Sequence, residues 1–262
     1  MTIASIIAPL EAFAPPALQE SYDNTGFQVG DPMAEATGVL ICVDATEEIL
    51  DEAAERGCNL VVTHHPLLFR AVKQVLGRNR PERVLAKAIR LGITIYSCHT
   101  SVDSTPGGVS WRMAEALGLK DVELLAPASA GSEAGLGVVG NLPEALSPLE
   151  FASAVKKAFG SEMIRMSRPP AAIREISRVA LCGGAGSEFL PEAIGHGAQV
   201  LVTADCKHNT FLDYASDIIL MDAGHFETEL CTKKIFFDIL TEKFPNFAVY
   251  YSDIEQNPII YL

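Results

Sequence analysis

The sequence predicts an α/β protein made of two similar α/β domains, each built on a mostly parallel or mixed sheet. Three observations predict this class. The chain has 262 residues, of which 48% are hydrophobic, enough for one large core or two domains of about 130 residues each. A strand, helix and strand pattern occurs twice. Polar motifs follow the ends of apolar strands, where parallel α/β sheets gather their functional groups.

The repeated unit is the strongest of these observations. Residues 38–65 align with residues 178–205 at a constant offset of 140 without a gap, so that Thr63 matches Thr203. Each copy has a β-branched strand, a helix of about three turns ending at Gly and a strand rich in Val and Leu. This is a βαβ unit, whose parallel strands belong in a covered sheet. Pattern alone can make two βαβ units alike, but the matched Gly, Thr, His and acidic positions favour a duplication.

A second pair of segments aligns at an offset of 126. His99 falls on His225 and Asp103 on Glu229, so both copies carry H-x-x-x-[DE] after an apolar strand. Between the copies lies APASAGSEAGLG, whose Gly, Ala and Ser content is typical of a linker. We therefore predict a first α/β half over residues 1–125, a linker over 126–137 and a second half over 138–262.

The N-terminal segment and the cysteines indicate the cellular compartment in which the protein is expected. The first sixteen residues lack a basic n-region and carry Glu11, so they predict a short amphipathic helix and not a signal peptide. No run approaches the length of a membrane span. The six cysteines are far apart, which is typical of reduced thiols in a cytoplasmic protein. Reactivity is the alternative for Cys98 and Cys206, which lie near polar clusters.

The charge excludes one class of partner. The formal net charge is −13, and the 20 Lys and Arg residues are scattered along the chain. Nucleic-acid binding needs clustered cations, so nucleic acid is not an expected partner. A local basic pocket for a small phosphate is compatible with the same charge.

Histidines and carboxylates concentrate at strand ends. In VVTHHPLLF an apolar strand ends on His64 and His65 before Pro66 redirects the chain. A lone histidine beside a strand is usually structural, but four of the six histidines belong to strand-end clusters that also hold carboxylates. Histidine nitrogens with carboxylate oxygens suit divalent transition metals, and bridging carboxylates favour two ions about 3.5–4 Å apart. A metal site is therefore predicted.

Neighbouring motifs have two interpretations each. Asp23 and Asn24 either orient a ligand or water, or form an ordinary turn. Lys207 and His208 either supply charge or a proton near the metal, or are surface residues. The glycine-rich turn at residues 183–186 either holds an anion on its N–H groups or serves tight packing of strand on helix.

Six motifs also resemble a known family in order and spacing. They are SYDNTGFQVG (21–30), VVTHHPLLF (61–69), YSCHTSVDSTPGGVSWRMAEALGL (96–119), CGGAGSEFL (182–190), VTADCKHNTFLDYA (202–215) and DAGHFETE (222–229). The family is the Nif-three-like family, whose members are often labelled GTP cyclohydrolase I type 2 homologues. This chain resembles its short form, which lacks the domain that some members insert between the halves.

The resemblance implies a dinuclear metal centre in the interdomain cleft and a toroidal homohexamer. By motif position it implies as metal ligands His64, His65, Asp103, His225 and Glu229. Family members commonly have Asn after the HT of HTSVD and a Gly-Glu pair in place of Ala204 and Asp205, so substrate preference stays open.

The expected function is a metal-dependent hydrolase acting on a phosphorylated or nucleotide-like small molecule, with His99 or His208 relaying a proton. Two divalent ions per subunit are expected, and the ligands accept Zn, Mn, Fe, Co or Ni. The alternative is a non-catalytic metal-binding ring that acts as a protein-interaction or regulatory platform. An open coordination position distinguishes catalysis from storage.

Overall fold

The computed structural model describes residues 1–262. In chain order the helices and strands are α1 (Ile3–Phe13), β1 (Gly26–Val29), β2 (Val39–Cys42), α2 (Glu47–Glu55), β3 (Leu60–Thr63), α3 (Arg80–Leu91), β4 (Thr94–Ser97), α4 (Thr100–Asp103), α5 (Val109–Ala116), β5 (Lys120–Pro127), β6 (Gly135–Leu146), α6 (Pro148–Phe159), β7 (Arg165–Met166), β8 (Ile176–Leu181), α7 (Leu190–Gly195), β9 (Val200–Thr203), α8 (His208–Asp213), β10 (Ile219–Asp222), α9 (His225–Glu229), α10 (Cys231–Lys243) and β11 (Val249–Tyr251).

The chain forms two compact units. The first unit comprises residues 1–102 and 232–256, and the second comprises residues 103–231 and 257–262. Each unit has one sheet of mixed orientation, so the predicted class, two α/β bodies with mixed sheets, is confirmed.

The sheet of the first unit has the order β1, β4, β3, β2, β11. Strands β2, β3 and β4 are parallel to one another and buried along their whole length, as is usual for strands inside a parallel sheet. Helix α2 starts at the N-cap Thr46, whose side chain accepts from the Ile49 N–H, and packs Ile49 and Leu50 into the core. Helix α3 ends at Gly92 with φ +65°, a conformation that favours glycine. The parallel pairing of β3 with β4, with Thr63 beside Ser97, places the carboxyl ends of the two strands side by side.

The sheet of the second unit has the order β5, β6, β8, β9, β10, β7. Strands β8, β9 and β10 are parallel, and β5, β6 and β7 add antiparallel edges. Its core packs Leu190 and Ala193 of α7 against the buried Leu201 and Leu220. This arrangement places the loops after β8, β9 and β10 at one edge of the sheet.

The predicted repeat corresponds to real elements. Strands β3 and β9 lie 140 residues apart at both ends. In the sheet register Thr94 stands beside Leu60 and Ile219 beside Val200, so the next pair of strands is offset by 125 residues and not by 126. The strands are therefore equivalent, while the histidines after them differ by one backbone position.

The unit boundaries differ from the predicted halves. Residues 126–137, predicted as a linker, contain the end of β5 and the start of β6, with Pro127 paired to Gly135 in an antiparallel hairpin. Small residues suit a tight hairpin as well as a linker, since Gly131 turns at φ +77°. The C-terminal region also leaves its predicted half, because β11 pairs in parallel with β2, Tyr250 beside Leu40. Residues 103–125 belong to the second unit and residues 232–256 to the first.

The predicted N-terminal helix is confirmed as α1, which buries Ile3, Ile6, Ile7 and Leu10 along one face. No helix in the chain combines the length and the apolar character that crossing a membrane would require.

All six cysteines are free thiols. Burial raises the pKa of Cys58 to about 11 and that of Cys206 to about 12, which keeps these groups protonated and poor nucleophiles at neutral pH. We expect all six to be alkylated without prior reduction once the protein is unfolded, whereas the native protein reacts slowly. Intact mass measurement after alkylation tests this, and a mass that reveals a disulfide would contradict it.

Candidate metal centre

Three histidine rings meet in the first unit. Because Thr63 of β3 pairs with Ser97 of β4, the residues that follow the two strands are neighbours. The ring centroids of His64 and His65 are 4.9 Å apart, those of His64 and His99 5.2 Å, and those of His65 and His99 5.5 Å. One ring nitrogen from each lies within 4.8 Å of the others. Three nitrogens at this spacing can hold a metal ion.

The tautomer of His64 follows from its surroundings. The ring is completely buried, and its Nδ1 lies 3.1 Å from the carbonyl oxygen of Cys98. A carbonyl oxygen only accepts, so Nδ1 carries the hydrogen and Nε2 keeps the lone pair that a metal needs.

A carboxylate orients His65 in the same way. Nδ1 of His65 lies 3.2 Å from Oδ2 of Asp44, and Nη1 of Arg80 donates to Oδ1 of Asp44 at 3.1 Å. Burial raises the pKa of Asp44, but the hydrogen bonds from His65 and Arg80 outweigh burial and lower the pKa to about 2. Asp44 is therefore ionised at neutral pH and fixes the His65 ring with Nε2 exposed to a ligand.

His99 has a stronger support in Asp23. Nδ1 of His99 lies 2.7 Å from Oδ1 of Asp23, which also accepts from the Asn24 N–H. Oδ2 of Asp23 accepts from the N–H and the hydroxyl of Thr100. Burial raises the pKa of Asp23, yet the hydrogen bonds from His99 and Thr100 dominate and hold it well below its usual range. Asp23 therefore holds the ring of His99, and its predicted role of orienting a ligand or water stays a prediction. Asn24 instead donates to the Leu68 carbonyl at 2.9 Å and anchors the loop after the histidines.

The second unit contributes His225 and Glu229. They lie four residues apart in α9, on one helical face as predicted, with His225 Nε2 3.0 Å from Glu229 Oε2. Nδ1 of His225 lies 2.8 Å from Oδ2 of Asp205. Glu229 is almost completely buried. His225, held by Asp205, and Glu229, which faces it, are therefore two donors suited to a divalent ion.

Asp103 is the first residue of the second unit. Burial, with a smaller effect from the carboxylates of Asp103 and Glu229, raises the pKa of the Cys231 thiol to about 12. Burial also raises the pKa of Cys182, and the same two carboxylates contribute. Asp103 and Glu229 thus place two negative charges in one region of this unit, which favours a cation there.

The glycine-rich turn serves packing. The N–H groups of Gly183, Gly184 and Gly186 donate to hydroxyl groups of Ser110, Thr228 and Thr203. Because these three donors are already used inside the unit, the anion-holding alternative is not supported. Gly184 instead allows Glu229 to approach the backbone, since a Cβ there would lie 2.1 Å from Glu229 Oε1.

Gly184→Ala is expected to displace the Glu229 carboxylate and to lower the bound metal per subunit. The substitution also introduces a side chain at φ +59°, which costs about 1 kcal/mol of stability. Gly197→Ala is the matched control, because Gly197 also has a positive φ, +72°, and a Cβ there meets nothing within 4 Å. Elemental analysis of the two variants after metal loading makes the comparison, and equal metal content would contradict the role given to Gly184.

Two predicted residues lie on the surface of the second unit. Lys207 is the N-cap of α8 and His208 is its first residue, and both are exposed. His208 lines a groove of about 470 Å³ with Arg165 and Phe211. The structure therefore brings His99, but not His208, into a cluster of candidate ligands within one unit.

Sequence reasoning missed the partners of the histidines. Asp44 follows β2 at the edge where β3 presents His65, so its strand-end position was the available indication. Asp205 was noted only as a departure from the family pattern, and its φ of +53° is uncommon for a residue other than glycine. No sequence pattern connected either residue to a particular histidine.

Comparison with known proteins gives a consistent result. The family model described as Duf34/NIF3 (NGG1p interacting factor 3) matches residues 1–258. A protein of Clostridium perfringens named GTP cyclohydrolase 1 type 2 homolog is 33% identical over 230 residues, covering 87% of each chain. A Lactococcus lactis protein of the same name is 31% identical and covers 98% of each chain.

Solved structures agree with the fold. A hypothetical protein of Staphylococcus aureus superimposes with a TM-score of 0.90 at 27% identity, covering 100% of this chain and 99% of its own. A Bacillus cereus protein related to NIF3 also gives 0.90 at 23% identity, with the same coverage, and shows the fold alone.

Proposed function

Because the chain belongs to the Duf34/NIF3 family, we propose that it is a metal-dependent hydrolase of a nucleotide-like or phosphorylated small molecule. The relatives named GTP cyclohydrolase 1 type 2 homolog support a nucleotide as the first candidate substrate. The fold does not select a reaction by itself, so the proposal is argued from the site.

One observation carries the proposal. Four histidines each have Nδ1 beside an acceptor oxygen, from Cys98, Asp44, Asp23 and Asp205 respectively. This support fixes the ring orientation. In His64, His65 and His225 it leaves Nε2 to coordinate, which is the usual arrangement of metal-bound histidine, and in His99 it leaves Nε2 to accept a proton. Histidines with only a structural role have no reason to be held through the same nitrogen, Nδ1, at all four positions.

The donor set fits two divalent ions better than one. We propose His64, His65, Asp103, His225 and Glu229 as ligands, and five protein ligands exceed a tetrahedral site. Imidazole and carboxylate together accept Zn, Mn, Fe, Co or Ni. When bound, such ions lower the pKa of water towards neutrality and neutralise developing negative charge.

His99 is the proposed proton carrier. Asp23, ionised and bonded to Nδ1 of His99, stabilises the imidazolium that forms when Nε2 accepts a proton. Asp23 thereby also fixes the tautomer before the transfer. His208, exposed at the start of α8, is the weaker candidate for this role.

A substrate screen tests the proposed activity. The protein loaded in turn with Zn, Mn, Fe, Co or Ni is incubated with nucleotides and phosphorylated metabolites, and products are identified by mass spectrometry. We expect one class of phosphorylated compound to gain the mass of water in a metal-dependent manner. No conversion with any metal would contradict the hydrolase and favour the non-catalytic platform.

We also propose assembly into a closed ring of six copies. Closed symmetric homo-oligomers are the common outcome for soluble proteins, and the family resemblance implies a hexamer. Light scattering at micromolar concentration is expected to give six times the subunit mass of 28.1 kDa. A monomeric mass would contradict the ring.

A further inference from the structure

The positive charge of this acidic chain is concentrated in one segment. Residues 70–90 contain seven of the 20 Lys and Arg residues and only one acidic residue, Glu82, a net charge of +6 in a chain of net −13. The expectation that the Lys and Arg residues are scattered along the chain is therefore wrong for this segment. It begins five residues after His65.

Part of this charge is compensated and part is not. Ion pairs join α3 to acidic residues of the α2 region: Arg80 to Asp44, Arg83 to Glu47 and Lys87 to Asp51. Four exposed cations form no ion pair: Arg70, Lys73, Arg78 and Arg90. Uncompensated cations on a concave surface raise the local concentration of anions.

A cavity of about 520 Å³ lies in this segment. Its lining includes Phe69, Arg70, Lys73, Arg80 and Glu82. The repulsion between Glu82 and a bound anion is reduced, because both of its carboxylate oxygens accept hydrogen bonds. The donors are the N–H groups of residues 76 and 78 and the side chain of residue 79. These bonds also hold the cavity wall in place.

The cavity adjoins the histidine cluster on two sides. Arg80 donates to Asp44, the carboxylate that holds His65. The Phe69 ring, 46% exposed, lies 6.0 Å from the His99 ring. The loop between these points is anchored where the Leu68 N–H donates to Gln28. The cavity is therefore connected to the histidine cluster through Phe69 and Arg80, within one unit.

We propose that this cavity is an anion-binding subsite that holds the phosphate chain of a nucleotide-like substrate on Arg70 and Lys73. Phe69 offers an aromatic surface for the rest of such a ligand. The two cationic side chains can donate charge-assisted hydrogen bonds to phosphate oxygens, and these bonds do not depend on which nucleobase the ligand carries. The identity of the ligand as a substrate rests on the proposed function, whereas anion binding does not.

The test compares two variants of the whole protein. Isothermal titration calorimetry with GTP and with inorganic pyrophosphate is performed on the parent, on R70Q/K73Q and on R90Q. Arg90 is equally exposed on α3 but does not line the cavity. Elemental analysis and thermal unfolding verify that metal content and fold are equal in all three.

We expect R70Q/K73Q to bind both probes about tenfold or more weakly than the parent, and R90Q to bind them as the parent does. Added salt should weaken binding to the parent. Equal binding by R70Q/K73Q and the parent, equal losses in both variants, or no binding by the parent would overturn the subsite. The subsite would also be overturned if R70Q/K73Q bound a single-stranded oligonucleotide more weakly than the parent but bound GTP and pyrophosphate equally well.

The outcome also separates this inference from the hydrolase. Probe binding that R70Q/K73Q loses, in a protein that hydrolyses nothing, would keep the subsite and remove the catalytic proposal. Hydrolysis with an unchanged KM in R70Q/K73Q would keep the hydrolase and remove the subsite.

Discussion

Asp103→Ala is expected to abolish hydrolysis of the substrate that the screen identifies. Asp103 lies in the same unit as Glu229, and both carboxylates add to the effect of burial on the pKa of Cys182 and Cys231. Substituting an outer partner of a metal ligand typically costs about 10–100-fold in metal affinity or activity. Removing a ligand itself should cost more, and both kcat and bound metal should fall.

Asp213→Ala is the control for this change. Asp213 is an exposed carboxylate of the same unit, at the end of α8, so its loss removes the same charge far from the proposed ligands in sequence. It should leave turnover and metal content unchanged. Full activity in Asp103→Ala would exclude Asp103 as an essential ligand, and equal loss in both variants would show a general effect of charge.

His64→Ala and His65→Ala are each expected to lower the bound metal from about two ions per subunit towards one. The two ring centroids lie 4.9 Å apart and the rings are tilted by 45°, and two ions about 3.5–4 Å apart would take one ring each. Each ring is held through its own Nδ1, by Cys98 or by Asp44. Each is therefore proposed to serve a different ion.

The fold of these variants should survive, because the βαβ cores do not depend on bound ions, and thermal unfolding checks this for His64, whose ring is completely buried. His196→Ala is the control: His196 is the C-cap of α7 and lies outside the proposed ligand set, so this variant should retain the metal of the parent. Elemental analysis after loading and desalting gives the comparison. Full occupancy in both His64→Ala and His65→Ala would exclude their assignment as ligands.

The parts of the structure that could be predicted depend on local pattern. The strand before His64 could be predicted from its run of apolar residues. The position of His225 and Glu229 on one helical face could be predicted from their spacing of four residues. Both patterns involve only residues that are close in sequence. Strand β11 could not be placed, because three residues, VYY, near the C-terminus carry no indication that they pair with β2 more than 200 residues earlier.

The supporting carboxylates show the same limit at the site. Asp44 and Asp205 reach their histidines across loops, so the contact depends on side-chain direction and not on spacing. The basic cavity was missed for another reason. A count over the whole chain averages residues 70–90 with an acidic remainder, although the segment itself is visible in the sequence.

The central claim is that the chain holds two metal ions on histidines whose Nδ1 atoms are fixed by acceptor oxygens. Metal content per subunit of the parent protein, measured by elemental analysis after saturation and removal of free metal, tests it most directly. The account predicts about two divalent ions per subunit. One ion, or none, would contradict it.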